Sequence, residues 1–443
     1  MTSAAKPDPT MIDVGAIRED PDRVRKAMHQ KGFCQTECVD KALQLDQQRR
    51  EILSELHEAQ AEANTISDKI GELKREGREE QAQRLIEKAA ELKEQVTQLE
   101  TEAKNIEARL KEVLLEIPNV PHPSVPVGDT PEENVVAETW KEKPKFDFKP
   151  YAHWELAEHH GLVDFERGAK VAGSGFPFYV GEGVRLQRAL IAFFLDLAVD
   201  AGYTEMQPPI FTNADSARGT GQLPDKEDQM YEVPRDGFYP IPTAEVPVTN
   251  FFREEILSRE ELPAKFCAYT PCFRREAGSY GQDVRGLNRL HQFDKVELVQ
   301  IAHPGDSYEA LEELRADAER ALRLLGLPYR RVLMCTGDMG FAQAKKYDLE
   351  VWSAGQERWL EVSSISNFET FQARRMAIRF RPESEAKPEL VHTLNGSGLA
   401  LPRVVAALLE HYQQPDKTVL IPEVLQPFMG CERIGERHAS SVA

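Results

Sequence analysis

The chain has 443 residues, of which 41% are hydrophobic and 29% are charged, so it is long enough for two domains and a large core. Its formal net charge of −19 argues against a general nucleic-acid binder, although a basic surface on an acidic body stays compatible with an RNA partner. No apolar run reaches the roughly 20 residues of a membrane span, and residues 1–10 lack the apolar stretch of a secretory signal, which predicts a cytoplasmic protein without a membrane partner.

The N-terminal part of the chain is predicted to be a helical domain over residues 11–117. Apolar residues recur in steps of three and four over residues 52–73 and again over residues 85–117. This is the seam of a coiled coil on two helices, and the short polar break between the helices makes them antiparallel. We expect a hairpin arm over about residues 41–117 with exposed charged faces. Taken alone, such an arm is more typical of a spacer or a dimerisation element than of a nucleic-acid binder.

The rest of the chain divides by composition. Residues 118–131 carry five prolines and are expected to form a linker. A larger domain is expected over residues 132–433, and disordered segments over residues 1–10 and 434–443. The strand-like runs of this domain are 266–273, 331–335, 349–352 and 359–365. Neither a regular strand–helix alternation nor a glycine-rich phosphate loop is present, so an α+β domain around an antiparallel sheet is favoured over a Rossmann fold.

A helix is predicted over residues 183–201, where Gly202 ends it and Pro208 and Pro209 follow shortly after. A second helix is predicted after the glycine-containing run LNGSG at residues 394–398. It buries a stripe of apolar side chains, and Arg403 lies off that stripe. Both features are common in helical proteins and do not indicate a function on their own.

The run FRREAGSYGQDVRGLNRLHQFDKVELVQI, at residues 273–301, indicates a nucleotide site without a glycine-rich loop. Residues two apart on a strand share a face, so Arg274 points with Glu276, and Phe293 with Glu297. A guanidinium binds a phosphoryl group through paired hydrogen bonds, and an aromatic face stacks on adenine with about 1–3 kcal/mol. Any one of these residues is compatible with a plain surface hairpin, but together they favour ATP as the ligand.

This run resembles motif 2 of the class II aminoacyl-tRNA synthetases, and CFRREAG followed by LHQFDKVE is similar to the bacterial type of the seryl-tRNA synthetase family. The resemblance extends from residue 11 to about residue 433, including motif 1 around Pro209 and motif 3 around Arg403. It implies a class II antiparallel core flanked by helices, a tRNA-binding arm and a homodimer with Pro209 at its interface. Near the turn of the arm, the cations available to face tRNA phosphates, among several glutamates, are Lys69, Lys74, Arg75, Arg78, Arg84 and Lys88.

The resemblance also implies the reaction. L-Serine would be activated with ATP and Mg²⁺ to seryl-adenylate, and then transferred to the 3′ end of tRNA(Ser), and of tRNA(Sec) where a cell has one. The residues that it implies for catalysis are Arg274, Glu276 and Arg403; for ATP they are Arg274, Arg275, Glu276, Arg289, Phe293, Glu361, Val362, Ser363, Ser364 and Arg403; for serine they are Thr243, Ala244, Glu245, Glu297, Asn395 and Ser397.

The resemblance implies Glu361 and Ser364 as the metal ligands. Residues three apart lie on opposite faces of a regular strand, so we expect a bulge or a strand end at this point. Three other functions stay open: a threonyl-specific or other class II synthetase, an amino acid:carrier-protein ligase on the same core, and a non-catalytic RNA-binding protein. The sequence disfavours the first because its six cysteines form no plausible zinc set, the second because it has the arm, and the third because Arg274, Glu276 and Arg403 are present.

Overall fold

The computed structural model describes residues 13–277 and 285–435. The expected N-terminal extension and the expected tail beyond residue 435 lie outside the described residues. The described residues divide into two compact units, a smaller one of residues 13–29 and 33–118 and a larger one of residues 30–32, 119–277 and 285–435. Within the described ranges, none of the helices combines the length and the apolar character that a membrane span requires.

The smaller unit is helical. Its helices are α1 (Val14–Glu19), α2 (Pro21–Gln30), α3 (Glu37–Arg75) and α4 (Glu79–Leu115). Asp13 caps the N-terminus of α1, and its carboxylate accepts a hydrogen bond from the Gly15 amide at 2.8 Å. The predicted antiparallel hairpin is confirmed as α3 and α4, with 37 residues in α4, about 55 Å of helix.

The seam of the hairpin is apolar. Leu56, Ala59 and Ile66 of α3 pack against Leu92 and Leu99 of α4, and smaller or partly exposed side chains fill the positions between them. These residues recur in the steps of three and four that the sequence showed, which is why the two helices bury one narrow stripe each. The other faces of both helices stay largely exposed.

The larger unit contains the remaining helices. They are α5 (His153–His159), α6 (Phe165–Ala172), α7 (Glu182–Asp200), α8 (Ala214–Thr220), α9 (Glu245–Thr249), α10 (Ser307–Leu324), α11 (Thr370–Met376), α12 (Leu401–Tyr412) and α13 (Gln426–Met429). α7 and α12 confirm the two helices predicted in this domain, and both bury an apolar face against the sheet described next.

The larger unit is built on an eight-stranded sheet. The strands of the unit are β1 (Val135–Trp140), β2 (Val163–Asp164), β3 (Phe178–Tyr179), β4 (Thr204–Met206), β5 (Phe211–Asn213), β6 (Phe238–Pro240), β7 (Ile256–Ser258), β8 (Ala264–Phe273), β9 (Gln292–Ala302), β10 (Tyr329–Leu333), β11 (Lys345–Ser353), β12 (Arg358–Asn367), β13 (Arg379–Arg381), β14 (Glu389–Leu390), β15 (His392–Ala400), β16 (Val419–Leu420) and β17 (Arg433–Ile434).

The order of strands in the large sheet is β1-β10-β11-β12-β15-β9-β8-β4. All neighbouring strands are antiparallel except β4 and β8, which are parallel, so the sheet is mixed at one edge. The central strands are buried on both faces, since α7, α10 and α12 pack against the sheet. The predicted α+β class is therefore confirmed.

Two boundary segments differ from a simple linker and tail. From residue 119 the proline-rich segment is part of the larger unit, where the Asn119 side chain donates to the carbonyl oxygens of Ala342 and Phe368 at 3.0 and 2.9 Å. At the other end, Ile434 is fully buried and pairs with Val419 between β17 and β16, so the predicted start of a disordered tail at residue 434 is too early for the described chain.

Candidate active site

A cavity of about 500 Å³ opens at the ends of the central strands. β8 contributes Arg274 just after its last residue, and β9 contributes Phe293 and Glu297. β12 contributes Glu361, and the first turn of α12 contributes Arg403. Residues that are up to 130 positions apart in the chain therefore meet around one space, which is wide enough for a nucleotide and a small second substrate.

Arg274 is held at the rim by the backbone. Its amide donates to the His291 carbonyl at 2.9 Å, which extends the β8–β9 pairing, and its Nε donates to the Pro242 carbonyl at 3.2 Å. The guanidinium carbon lies 5.1 Å from the centre of the Phe293 ring. The cation and the aromatic face expected for a nucleotide are thus neighbours.

Arg403 is the third residue of α12, and its guanidinium is also fixed by carbonyl oxygens. Nε donates to Asn288 O at 3.0 Å and Nη1 donates to Glu361 O at 2.7 Å. The Glu361 carboxylate lies 4.0 Å from the same Nη1. A guanidinium has five N–H donors, so these two bonds orient it and leave donors for an anion in the cavity.

Glu276 and Arg289 form an ion pair across the mouth of the cavity, with Arg289 Nη1 2.9 Å from Glu276 Oε2. Glu276 has a φ of +48°, in the left-handed region that a residue with a Cβ seldom adopts. Strained backbone of this kind persists where the surrounding structure enforces it, often beside a ligand site. Residues 278–284, between these two, lie outside the described residues.

A bulge in β12 brings Glu361 and Ser364 to the same face. Opposite β11, Leu349 pairs with Ser363 while Glu350 pairs with Glu361, so Val362 is an extra residue. Both Glu361 and Ser364 line the cavity. The bulge that the sequence required for these two residues is therefore present.

The electrostatics of this side of the cavity favour anionic ligands held with a hard cation. Burial raises the pKa of the Glu361 carboxyl, but Arg403, Lys346 and Arg274 outweigh it, so that the pKa of Glu361 is lowered and the group is ionised at neutral pH. Carboxylate and hydroxyl oxygens are the ligands that Mg²⁺ prefers, so the donors of Glu361 and Ser364 fit this ion.

The opposite end of the cavity is a small, buried polar pocket. Lys295 donates to Thr243 Oγ1 at 2.7 Å and forms an ion pair with Glu297. Glu245 accepts a hydrogen bond from Gln372 Nε2 at 2.7 Å. Burial raises the pKa of the Glu245 carboxyl, and the nearby charge of Glu297 adds to the effect. A cation between these two carboxylates would offset their repulsion.

Asn395 and Ser397 of β15 complete this pocket. Ser397 lies opposite Glu297 in the β15–β9 pairing, and the Ser397 carbonyl accepts a hydrogen bond from Ser363 Oγ at 2.6 Å. Gly396 lies between them, and a Cβ at this position would come within 2.3 Å of Leu314 Cδ2. The backbone at Gly396 therefore packs closely against helix α10, and a side chain at this position would clash with the core.

Comparison with known proteins gives two family matches. A model for the seryl-tRNA synthetase N-terminal domain matches residues 11–121, and a model for the class II tRNA synthetase core domain (G, H, P, S and T) matches residues 231–412. A protein of Salinibacter ruber described as serine–tRNA ligase is 63% identical over 425 residues, which is 96% of this chain and 99% of that protein. The chain belongs to the seryl-tRNA synthetase family.

Solved structures of the seryl-tRNA synthetase family are also similar to this chain. The enzyme from Pyrococcus horikoshii complexed with ATP has a TM-score of 0.89 and 37% identity, covering 96% of this chain and 99% of that one. The cytoplasmic serine–tRNA ligase from Naegleria fowleri in complex with AMP has a TM-score of 0.84 and 30% identity, covering 96% and 98%. The class II core and its coiled-coil arm are thus those of this family.

Most of the residues that the seryl-tRNA synthetase resemblance named meet in the cavity, and three of them do not contribute a side chain to its lining. The Ala244 side chain packs with Val248 and Phe266 beneath the pocket. Arg275 is exposed and its amide bonds to the Gln229 carbonyl, while Ser363 points away toward β15. Arg275, just after β8, and Ser363 of β12 each neighbour a residue that faces the cavity, so the alternation of side chains along an extended chain directs them away from it.

Several lining residues of this seryl-tRNA synthetase site had no assigned role from sequence. Lys295 lies two positions from both Phe293 and Glu297, so the alternation along β9 was a signal for its inward position. Lys346 faces the cavity from β11 and forms an ion pair with Asp348 at 3.2 Å. Asn288 had no such signal, because its part in the site depends on a carbonyl oxygen that meets Arg403 only in the folded chain.

Proposed function

We propose that this chain is a serine–tRNA ligase that forms seryl-adenylate from L-serine and ATP and then transfers the seryl group to tRNA. The observation that carries the proposal is the single cavity with Arg274, Arg403 and Phe293 at one end and the buried Thr243–Lys295–Glu297 cluster at the other. A triphosphate with a purine fits the first end, and a small molecule with an ammonium and a hydroxyl fits the second. Family membership supports the same reaction.

In the first step, a serine carboxylate oxygen attacks the α-phosphorus of ATP, and the bond to the β-phosphate breaks to release pyrophosphate. Such chemistry depends on positioning and on charge neutralisation more than on a protein acid or base. Arg274 stabilises the charge that develops on the α-phosphate, and Arg403 orients the γ-phosphate. Phe293 stacks on adenine, and Glu276 binds the adenine amine or, later, the acceptor end of the tRNA.

Glu361 and Ser364 would hold Mg²⁺ on the triphosphate side of the cavity, because their oxygens share one face of β12. The ion, when bound with ATP, supplies neutralisation of phosphate charge. The chain's own contribution is to fix these two side chains beside Arg403, whose Nη1 is bonded to the Glu361 carbonyl at 2.7 Å.

Serine recognition is assigned to the pocket formed by Thr243, Glu245, Glu297, Asn395 and Ser397. The two carboxylates bind the ammonium, which is costly to bury unpaired. The polar groups bind the hydroxyl, so that alanine is rejected because it would leave buried partners unsatisfied. Asn395 and Ser397 are only 6% and 7% exposed, which supports a pocket that excludes larger side chains such as that of threonine.

The arm is assigned to tRNA(Ser), and to tRNA(Sec) where it exists. Lys69, Lys74 and Arg75 near the turn of the hairpin are exposed, as are the other cations there. Arg78 and Lys88 are engaged with Glu76 and Glu62 at 3.0 and 2.6 Å, so their charges are partly neutralised within the arm. Phosphate contacts of this kind are sensitive to salt concentration.

We further propose a homodimer that works in the cytoplasm, where tRNA is charged for translation. Pro209 is exposed, as expected for an interface residue. α7 also carries Val184 and Val199, which are 42% and 48% exposed, and Phe211 of β5 is 49% exposed. Exposed apolar groups of this kind support an interface between two copies of the chain.

The test is ATP–pyrophosphate exchange measured with each of the standard amino acids in turn. We expect exchange with serine alone, and transfer of serine to tRNA(Ser) when the tRNA is added. Exchange driven by threonine or by another amino acid would replace the substrate that we assign. A folded protein without exchange for any amino acid would remove the activity.

A further inference from the structure

A fully buried hydrogen-bond network lies behind the ATP end of the cavity. At its centre are His153, the first residue of α5, and Glu410, near the end of α12; both side chains are 0% exposed. Glu410 Oε1 accepts from the His153 amide at 2.9 Å and from its Nδ1 at 2.8 Å. The other oxygen, Oε2, accepts from Ser353 and from the Gly355 amide.

This geometry fixes the protonation of both groups. His153 Nε2 lies 2.9 Å from the Leu287 amide nitrogen, and a backbone N–H can only donate, so Nε2 carries no proton. Nδ1 then carries the proton and donates it to Glu410. Burial raises the pKa of the Glu410 carboxyl, but the hydrogen bonds from the His153 ring, the Ser353 hydroxyl and the His153 amide outweigh burial and lower it, so Glu410 is ionised.

The Leu287 amide belongs to the loop segment that carries Arg289 and precedes β9. Its neighbour Gly286 has a φ of +68°, and a Cβ there would lie 2.3 Å from His153 Nε2, so only glycine permits this approach. The guanidinium of Arg285 lies 4.8 Å from the ring of Trp154, the residue after His153. α5 therefore holds the loop at three successive residues.

The network ends on Arg403. The Asn288 side-chain amide donates a hydrogen bond to Gln356 Oε1 at 2.9 Å, and the Asn288 main-chain carbonyl accepts one from Arg403 Nε at 3.0 Å. Arg403 and Glu410 are seven residues apart on α12, about two helical turns, so they share a side of that helix. The contacts therefore lead from Glu410 of α12 through His153 and the loop back to Arg403, which lies on the same helix.

We propose that His153 is a positioning residue for ATP: oriented by Glu410, it fixes the Leu287–Asn288 backbone and thereby the guanidinium of Arg403 that meets the triphosphate. This inference rests on the proposed function and deepens it. His153 does not line the cavity and has no role in the chemistry itself. Its effect is specific to ATP, because the hydrogen-bond network reaches Arg403 at the ATP end of the cavity and, among the described residues, does not reach the serine pocket.

Two substitutions distinguish the hydrogen bond of His153 Nδ1 to Glu410 from that of His153 Nε2 with the Leu287 amide. His153→Asn keeps an amide near the Nδ1 position, next to Glu410, and removes the acceptor for the Leu287 amide. His153→Gln is the conservative variant, since its terminal amide oxygen reaches about the Nε2 position. His159→Asn, an exposed histidine on the same helix, is the matched control.

Steady-state exchange with ATP and with serine as the varied substrate is the measurement, after titration of active sites. We expect His153→Asn to raise the KM for ATP about tenfold or more, while the KM for serine stays within about twofold, because a lost bond to a buried donor has this size. His153→Gln should recover most of the ATP effect, and His159→Asn should match the unaltered chain. A fall in kcat with both KM values unchanged would indicate a structural role only and overturn the proposal.

A double-mutant cycle tests whether the effect passes through Arg403. If it does, adding His153→Asn to Arg403→Ala will raise the KM for ATP no further than Arg403→Ala alone. Multiplied effects would contradict the proposed path. If His153→Asn does not fold, Asn288→Ala removes the side-chain hydrogen bond to Gln356 that helps to hold the Asn288 backbone, without touching the histidine, and the same ATP-specific change is expected. An unaltered chain with no serine-dependent exchange would instead overturn the proposed function, which separates the two failures.

Discussion

At the residue scale, the candidate site depends on guanidinium groups that are oriented before any ligand arrives. Arg274 and Arg403 each donate to backbone carbonyls, Pro242 for the first and Asn288 with Glu361 for the second. Carbonyl partners orient a guanidinium without neutralising its charge, whereas a carboxylate would compete with the substrate. This arrangement suits a reaction whose barrier is lowered by stabilising phosphate charge.

Arg274→Ala tests the most central of these groups. We expect the serine-dependent exchange rate to fall by about a thousandfold or more, since a charge-stabilising arginine in phosphoryl transfer has an effect of this size. Binding of tRNA, measured by filter retention at fixed salt, should change little. Arg167→Ala is a suitable control, because that side chain is 82% exposed and pairs with Asp164, outside the cavity. Normal exchange in Arg274→Ala would exclude the role given to it.

At the scale of elements, the arm and the sheet perform separable tasks. α3 and α4 form their own apolar seam, and they lie in the smaller unit. The strands that surround the cavity all lie in the larger unit. The chemistry of serine activation is therefore expected to be independent of the distal part of the hairpin, while transfer to tRNA is expected to require it.

A shortened arm makes this expectation measurable. The side chains of Gln60 and Glu100 lie 3.5 Å apart across the hairpin, so residues 61–99 can be replaced by a short glycine-containing turn between them. We expect pyrophosphate exchange to remain within about twofold of the unaltered chain, and kcat/KM for charging of tRNA(Ser) to fall about a hundredfold or more, because the phosphate contacts of the arm are lost. Unchanged charging would show that the distal arm does not bind the tRNA.

At the scale of the whole molecule, two half-buried histidines reduce stability in acid. Burial lowers the pKa of His392 to about 4, with a smaller contribution from His303 that Glu369 opposes. Burial, with Lys141, also lowers the pKa of His411 to about 4. The unfolded chain binds these protons below about pH 6.5 while the folded chain does not, so each histidine reduces stability as the pH falls from about 6.5 to about 4.

The substitution His392→Asn removes one of these two titrating side chains. At pH 7 the variant should be less stable, because His392 Nδ1 is 2.7 Å from Ser307 Oγ and this contact is disturbed. The stability difference from the unaltered chain should shrink by up to about 1.4 kcal/mol per pH unit between pH 6.5 and 4. Urea unfolding followed by tryptophan fluorescence reports on the larger unit, which contains all four tryptophans. A stability difference that does not change with pH would contradict the lowered pKa of His392. Buried carboxyl groups affect both proteins alike and cancel in this difference.

The sequence by itself determined the features that arise from local periodicity. The steps of three and four over residues 52–117 define the seam of α3 and α4, since neighbouring turns of a helix meet whatever surrounds them. The period of two along β9 likewise brings Phe293 and Glu297 to one face. The resemblance of short motifs then predicted Arg274 and Arg403 as triphosphate ligands, because the residue types that bind a triphosphate are few.

Only the tertiary structure decided how those motifs combine. The extra residue Val362 in β12, which brings Glu361 and Ser364 together, depends on the register against β11. The buried position of Ala244 and the bond between His153 and Glu410, 257 residues apart, depend on packing between distant segments. Strand register and side-chain packing are set by contacts across the whole core, so the pattern of one segment does not contain them.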